Sequence, residues 1–365
     1  DKDGYPHFML KEINEQSRVI RDSLVGRLRN ESVDLSEELK WSNEEIRKWN
    51  RIHIVACGTS YYAALIAERL FENVTEWDIR VDVASEYRYR ELNSGPETLA
   101  IFVSQSGETA DTLAAERKAK ISGACCLAVT NVPNSTLARE VDHVLLLKAG
   151  PEVGVAATKT FTGQLCVLYL LALYLGRVSG TLPDSKQKRL VQELRVLPFK
   201  VDTILEDHLL IRGLAEKYAN ARNFLFLGRG NSFPVALEGA LKLKEISYIH
   251  AEAYAAGEMK HGPIALLDHD VPVVVLIPRD HLYDKVLSNI QEARARSAPI
   301  IAVATSGDQH IIPNAEDILW IPPSEPELNP FLEVIPLQLF AYYVARYKGC
   351  DIDQPRNLAK SVTVE

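Results

Sequence analysis

The sequence has 365 residues, enough for two domains of ordinary size plus an extension. Asp and Glu (49) outnumber Lys and Arg (41), and the formal net charge is −8, which argues against a nucleic-acid partner gripped by a broad cationic face. Hydrophobic residues at 47% and charged residues at 25% are an ordinary globular mixture and argue against wholesale disorder or a coiled coil.

The first 50 residues are charged and mostly helical in pattern, with Ser42 before Asn43-Glu44-Glu45 as a helix N-cap. The β-branched run Ile52–Ala56 follows and ends at Cys57-Gly58-Thr59-Ser60, and a helical stretch runs from Tyr61 to Asn73. Short apolar runs at Leu99–Val103, Cys125–Val129 and His143–Leu147 then alternate with helix-forming segments, the pattern of βαβ units and a parallel sheet. The longest strongly apolar stretch, Leu165–Leu175, is too short to cross a bilayer, so no membrane partner is expected, and no basic-then-apolar signal opens the chain. Gly176 to Arg222 reads as partly amphipathic helix linking two halves.

The second half repeats the first. Leu225–Ser232 aligns with the Val55–Ser60 segment, Gly230 on Gly58 and Ser232 on Ser60. At the same spacing Val271–Val275 falls on Leu99–Val103, and at nearly the same spacing Ala298–Val303 falls on Ala124–Val129. Ile318-Leu319-Trp320 matches the run before Ala149-Gly150. The fold class is therefore α/β, two tandem copies of one parallel-sheet domain, with a period too long for a solenoid. The boundaries read as an N-terminal helical extension (1–46), a first domain (47–186), a helical linker (187–218), a second domain (219–352) and a C-terminal tail (353–365). The five cysteines (57, 125, 126, 166 and 350) are odd in number and lack a CxxC, as free thiols of a reducing cytosol would be.

In open parallel sheets ligands sit beyond the carboxyl ends of the strands. Ser104-Gln105-Ser106-Gly107-Glu108-Thr109 lies there, between an apolar strand and a helix. It reads either as an anion cradle of hydroxyls and backbone N–H groups or as a plain capped turn with Ser106 as N-cap. It is not a Walker A loop. Thr59 and Ser60, after Gly58, offer hydroxyls to a polyol or phosphate in a similar turn. Glu238, Lys242 and Glu245 share one helix face, as a solvated ion-pair face or as a buried base with an assisting cation. His261, in the Gly257–Pro263 loop, is either an exposed loop residue or a proton shuttle. Lys360 sits in a tail that is not frayed by composition, either as an exposed tail lysine or as a semi-buried amine suited to a Schiff base. No ligand-spaced His, Cys or carboxylate cluster appears, so no metal site is expected.

Together ACGTS (Ala56–Ser60), ASEYRYR (Ala84–Arg90), SQSGETADTL (Ser104–Leu113), GPEVGVAATKTFT (Gly150–Thr162), ALEGALKLKEISYIHAEAYAAGEMKHGP (Ala236–Pro263) and DQPRNLAKSVTVE (from Asp353) resemble the isomerase half of the glutamine–fructose-6-phosphate aminotransferases. The resemblance spans nearly all of the chain. It implies two sugar-isomerase (SIS) domains, each a three-layer αβα sandwich on a parallel sheet. By the same resemblance Thr59, Ser60, Ser104, Gln105, Ser106 and Thr109 form the sugar-phosphate pocket, and Val155, Ala156 and Ala359 line the substrate. Glu245 is then the base between C1 and C2, Lys242 its assistant, and Glu238 a residue of the same face near the tail. His261 opens the sugar ring from the neighbouring subunit, implying a homodimer, and Lys360 forms the imine with the C2 ketone. That reading needs Lys360 to fold back over the cradle. Ala157 departs from the family, which usually has Ser; loss of a direct hydrogen bond there would weaken binding by about 1 kcal/mol.

The implied function is a cytoplasmic aldose–ketose isomerase unit, working without metal or organic cofactor on a sugar-phosphate substrate. In the longer family members an N-terminal glutaminase domain is its partner and supplies ammonia from glutamine. This chain lacks that domain and begins mid-linker, so it is expected to be excised from a larger protein and not to hydrolyse glutamine alone. The rival readings are a non-catalytic sugar-phosphate sensor, which needs the cradle but not Glu245, His261 and Lys360 together, and a fructosamine-6-phosphate deglycase of the same fold.

Overall fold

A computed structural model describes residues 1–91 and 94–363; Val364 and Glu365, which close the tail motif, lie outside the described residues. The chain forms two compact units. One holds Arg18–Glu152, Lys159–Val196 and the tail from Ala359; the other holds Asp1–Ser17, Val153–Thr158 and Leu197–Leu358. The extension expected as one piece over 1–46 is thus divided after Ser17, and the tail leaves the second copy at Ala359.

The first unit is built on five parallel strands: β1 (Arg51–Ala56), β2 (Asp78–Val83), β3 (Thr98–Ser104), β4 (Cys125–Thr130) and β5 (His143–Leu146). Their order across the sheet is β2-β1-β3-β4-β5. β3 is buried along its whole length and β1 nearly so, as expected of central strands covered on both faces. β2 was not legible in the sequence. It is an edge strand of alternating exposure, and Asp78-Ile79-Arg80-Val81-Asp82 has too little apolar content to mark it. Helices α1 (Gly58–Val74), α2 (Ala110–Ile121) and α3 (Lys159–Ser179) complete the layers.

Helix α3 corrects one expectation. At 21 residues it is long and apolar enough to cross a membrane, although its core run looked too short for that. Its apolar window is 89% buried inside the protein, so core packing accounts for the composition. Earlier in the chain, Ser42 caps the short helix Asn43–Lys48, with Glu45 returning the bond to the Ser42 N–H in a capping box.

Helices α4 (Asp184–Glu206) and His208–Tyr218 lead into the second sheet. Its strands are β6 (Asn223–Gly228), β7 (His250–Ala255), β8 (Val273–Ile277), β9 (Ile300–Thr305) and β10 (Asp317–Ile321), all parallel. Their order, β7-β6-β8-β9-β10, repeats that of the first sheet strand for strand. β8 begins at Val273, two residues beyond the expected start, and β7 is a second half-polar edge strand that the sequence hid. Helices α5 (Ser232–Ser247) and α6 (Asn329–Tyr347) pack on this sheet, and α6 is buried from Asn329 to Ala345.

All five cysteines are free. Burial pushes the Cys125 and Cys166 thiols up to about 12, which keeps both protonated and unreactive near neutral pH.

Candidate functional site

Because β1 lies between β2 and β3, the chains leaving β1 and β3 turn to opposite faces and open a crevice between them. The two polar turns singled out in the sequence stand there. Gly58, at φ +54, begins α1, and the Ser60 hydroxyl accepts a bond from Gln164 Nε2 at 2.9 Å. In the other turn Ser104 Oγ accepts the Gly107 N–H at 3.0 Å and lies 3.3 Å from Thr109 Oγ1, while Ser106 Oγ accepts the Glu108 N–H at 3.2 Å. Ser106 is not the N-cap of the helix, as the plain-turn reading had it: α2 starts at Ala110, and Thr109 precedes it without a side-chain cap bond. The helix begins late because Gly107, at φ +66, first reverses the chain. A Cβ on Gly107 would stand 2.2 Å from Ser135 Oγ, so glycine is required twice over. The Gln105 carbonyl is tied back to the Asn131 N–H at 3.2 Å, which fixes the far side of the turn.

The tail closes on this same turn. Ser361 Oγ is 3.2 Å from Ser106 Oγ, and the Val362 carbonyl takes the Ala110 N–H, the first of α2, at 3.2 Å. Lys360 therefore stands beside the cradle, and its Nζ is 2.6 Å from Glu152 Oε2. The Glu152 side chain is fully buried and also accepts the Thr160 hydroxyl at 2.7 Å and the Thr160 N–H at 3.2 Å. Lys360 keeps 25% of its side-chain exposure: anchored, yet still open to solvent on one side. Ala359 precedes it as an exposed residue.

In the second-sheet unit the face formed by Glu238, Lys242 and Glu245 is not a solvated one. Glu238 and Lys242 side chains are fully buried and Glu245 is 20% exposed. Lys242 Nζ lies 3.4 Å from Glu238 Oε1 and donates to Glu245 Oε2. One ammonium thus holds two carboxylates, leaving Glu245 partly open. His261 is exposed in the turn after Met259, a fully buried residue that pins the loop to the core. Val155 and Ala156 belong to this unit as well: the Val155 N–H donates to the Asp353 carbonyl at 3.0 Å, and Ala156 is buried. Among the described residues, one exposed turn, Asp268-His269-Asp270, brings metal-ligating atoms within 4.8 Å of one another, and it holds none of the residues named above.

The model of the SIS domain matches residues 45–174 and 217–346, the two copies. The solved C-terminal domain of glucosamine-fructose-6-phosphate aminotransferase from Francisella tularensis is 41% identical, with a TM-score of 0.93 over 97% of this chain and 100% of that one. The chain belongs to the SIS-domain family, among these C-terminal aminotransferase domains. Along its whole length it is also 53% identical to a glutamine–fructose-6-phosphate aminotransferase (isomerizing) of Thermus thermophilus and 50% identical to one of Methanosarcina acetivorans. It spans about 60% of the length of these relatives. A glucosamine-6-phosphate deaminase of Thermotoga maritima, 24% identical with a TM-score of 0.73 over 97% of this chain and 99% of that one, shares the fold.

Three supporting residues escaped the sequence reading. Glu152 and Gln164 are single polar side chains inside otherwise small or apolar stretches, which was the available signal. Glu12 gave none. It is buried, and its carboxylate accepts the N–H groups of Val153 (2.5 Å) and Gly154 (3.2 Å), just before Val155 and Ala156. Asp353 completes the arrangement by accepting the Phe8 and Met9 N–H groups at 2.9 and 3.0 Å.

Proposed function

We propose that the chain is a sugar-phosphate aldose–ketose isomerase unit, acting on fructose 6-phosphate within a longer aminotransferase. The observation that carries this reading is the seating of the Lys360 amine at the hydroxyl-rich 104–109 turn, Lys360 held by Glu152 with Ser361 against Ser106. A sensor of sugar phosphates needs the turn and has no use for an anchored lysine.

In this reading Ser104, Gln105, Ser106 and Thr109 hold the phosphate, with Thr59 and Ser60 on the sugar and Val155, Ala156 and Ala359 lining it. His261, supplied by the neighbouring subunit of a homodimer, opens the ring. Lys360 adds to the C2 ketone and water leaves, giving an iminium that draws electrons better than a ketone. Ammonia then takes the place of the Lys360 amine on C2 and frees the lysine, and Glu245 takes a proton from C1 to form an enolamine and returns it to C2, which moves the carbonyl to C1; without ammonia, water frees Lys360 first and the same transfer passes through an enediol. Lys242 holds Glu245 in place, and Glu238 holds Lys242. In the longer protein ammonia from a glutaminase domain would give glucosamine 6-phosphate, in the cytoplasm.

Borohydride reduction in the presence of fructose 6-phosphate tests the reading. A hexose-phosphate adduct on the Lys360 peptide is expected, together with slow fructose–glucose 6-phosphate interconversion in a coupled assay. Absence of both adduct and turnover, with sugar-phosphate binding retained, would leave a sensor.

A further inference from the structure

The second sheet has its own crevice, between the ends of β6 and β8. The turns bordering it, Gly228–Ser232 and Pro278–Leu282, carry no run of hydroxyls. A carboxyl group stands there instead. Glu333 of α6 is completely buried; its Oε1 accepts the Ser232 hydroxyl at 2.8 Å, and its Oε2 has no hydrogen-bond partner among the described residues. Ser232 is the first residue of α5, the helix that carries Glu238, Lys242 and Glu245. The matching serine of the first unit, Ser60, is held from α3 by a neutral amide, that of Gln164.

An ionised carboxylate is poorly tolerated where one oxygen meets a neutral hydroxyl and the other meets nothing. The charged group that acts on Glu333 is Asp280, in the turn after β8, and it is of the same sign. The cations of the two turns face elsewhere: Arg279 lies 3.6 Å from Asp308, Arg229 donates to Asn289 at 3.0 Å, and the exposed His281 acts on Asp280. Burial pushes the Glu333 carboxyl up to about 8; the Ser232 hydrogen bond, which favours the ionised form, opposes this in part, and Asp280 adds to the rise.

We propose that Glu333 is a positioning residue that works as a neutral carboxylic acid, accepting the Ser232 hydroxyl at the first turn of α5, and that its ionisation, which leaves a buried charge with one oxygen unsolvated, draws water into this turn and loosens it. The geometry is that of the second-sheet unit alone and stands whether or not the sugar-phosphate reading holds.

Because the folded protein holds this proton more tightly than the unfolded chain, the contribution is present at low pH. It is lost as pH rises from the ordinary carboxyl range through about 8. Denaturant unfolding of the wild type and of Glu333→Gln from pH 5 to 9 reads this directly. The unfolding constant of the wild type, relative to the variant, should rise roughly tenfold per pH unit up to about 8 and then level off. Hydrogen exchange should show the amides of the first turns of α5 losing protection above neutral pH in the wild type and not in the variant, a pattern that a purely structural contact would not give. Parallel stability curves over the whole range would overturn the proposal. Should Glu333→Gln not fold, carbon NMR of glutamate-labelled wild type decides. A carboxyl still protonated at neutral pH supports the proposal, and complete ionisation of every glutamate below neutral pH defeats it.

Discussion

Glu152 and Lys360 are 208 positions apart in the chain, and their ion pair at 2.6 Å is the contact on which the catalytic reading turns. Replacing Glu152 with Gln removes the charge and keeps the shape. The loss of one charge-assisted bond, about 2 kcal/mol, should free the tail and lower borohydride trapping at Lys360 by an order of magnitude or more. Limited proteolysis should then cut the tail faster, and unchanged trapping would show that Glu152 does not place the amine. Gly107→Ala tests the cradle itself. The new methyl group meets Ser135 Oγ at 2.2 Å in a backbone conformation that disfavours side chains, so a loss of about 3 kcal/mol is expected in urea unfolding, with weakened sugar-phosphate binding by calorimetry. Binding as tight as wild type would remove this turn from the phosphate site.

On helix α5 the spacing of Glu238, Lys242 and Glu245 was legible as a shared face, but spacing does not say whether a face is wet. Burial decided it, because α6 packs along α5 and Lys242 retains no exposed surface. Lys242→Met would strip the cation from two carboxylates, one of them fully buried. A loss of about 3–5 kcal/mol is expected, measured as a fall in the denaturation midpoint; a change within 1 kcal/mol would mean that the pair is screened after all. By contrast, Ser42→Ala removes only a capping box at the surface, and thermal unfolding should register about 1 kcal/mol. The strands divide in the same way. β1, β3, β4 and β9 announced themselves as apolar runs, whereas β2 and β7 are edge strands whose half-polar alternation carries little hydrophobic signal.

For the molecule as a whole, pH acts from both sides. His53 on β1 is buried, and desolvation, helped by Arg80 and Arg51, lowers it to about 4. Its folded value is depressed, so its contribution is complete above the ordinary histidine range and is lost as pH falls towards 4. Roughly 3 kcal/mol of acid sensitivity should therefore vanish in His53→Gln, seen as a flatter dependence of the urea midpoint on pH between about 6.5 and 4; equal slopes would refute it. Glu333 tilts the curve the other way, from the ordinary carboxyl range up to about 8.

Duplication was readable from the sequence because matching residues recur at one spacing, and the identical strand order of the two sheets bears it out. The polar turns were readable too, since hydroxyls and glycines directly after an apolar strand have few other uses. Long-range partnership was not. That Ser361 meets Ser106, that Glu152 takes Lys360 and that Glu12 holds the 153–154 N–H groups depends on segments far apart in the chain. Local propensity and periodicity carry no record of such pairs. They arise only when packing removes water from a charge and leaves a particular neighbour to compensate it.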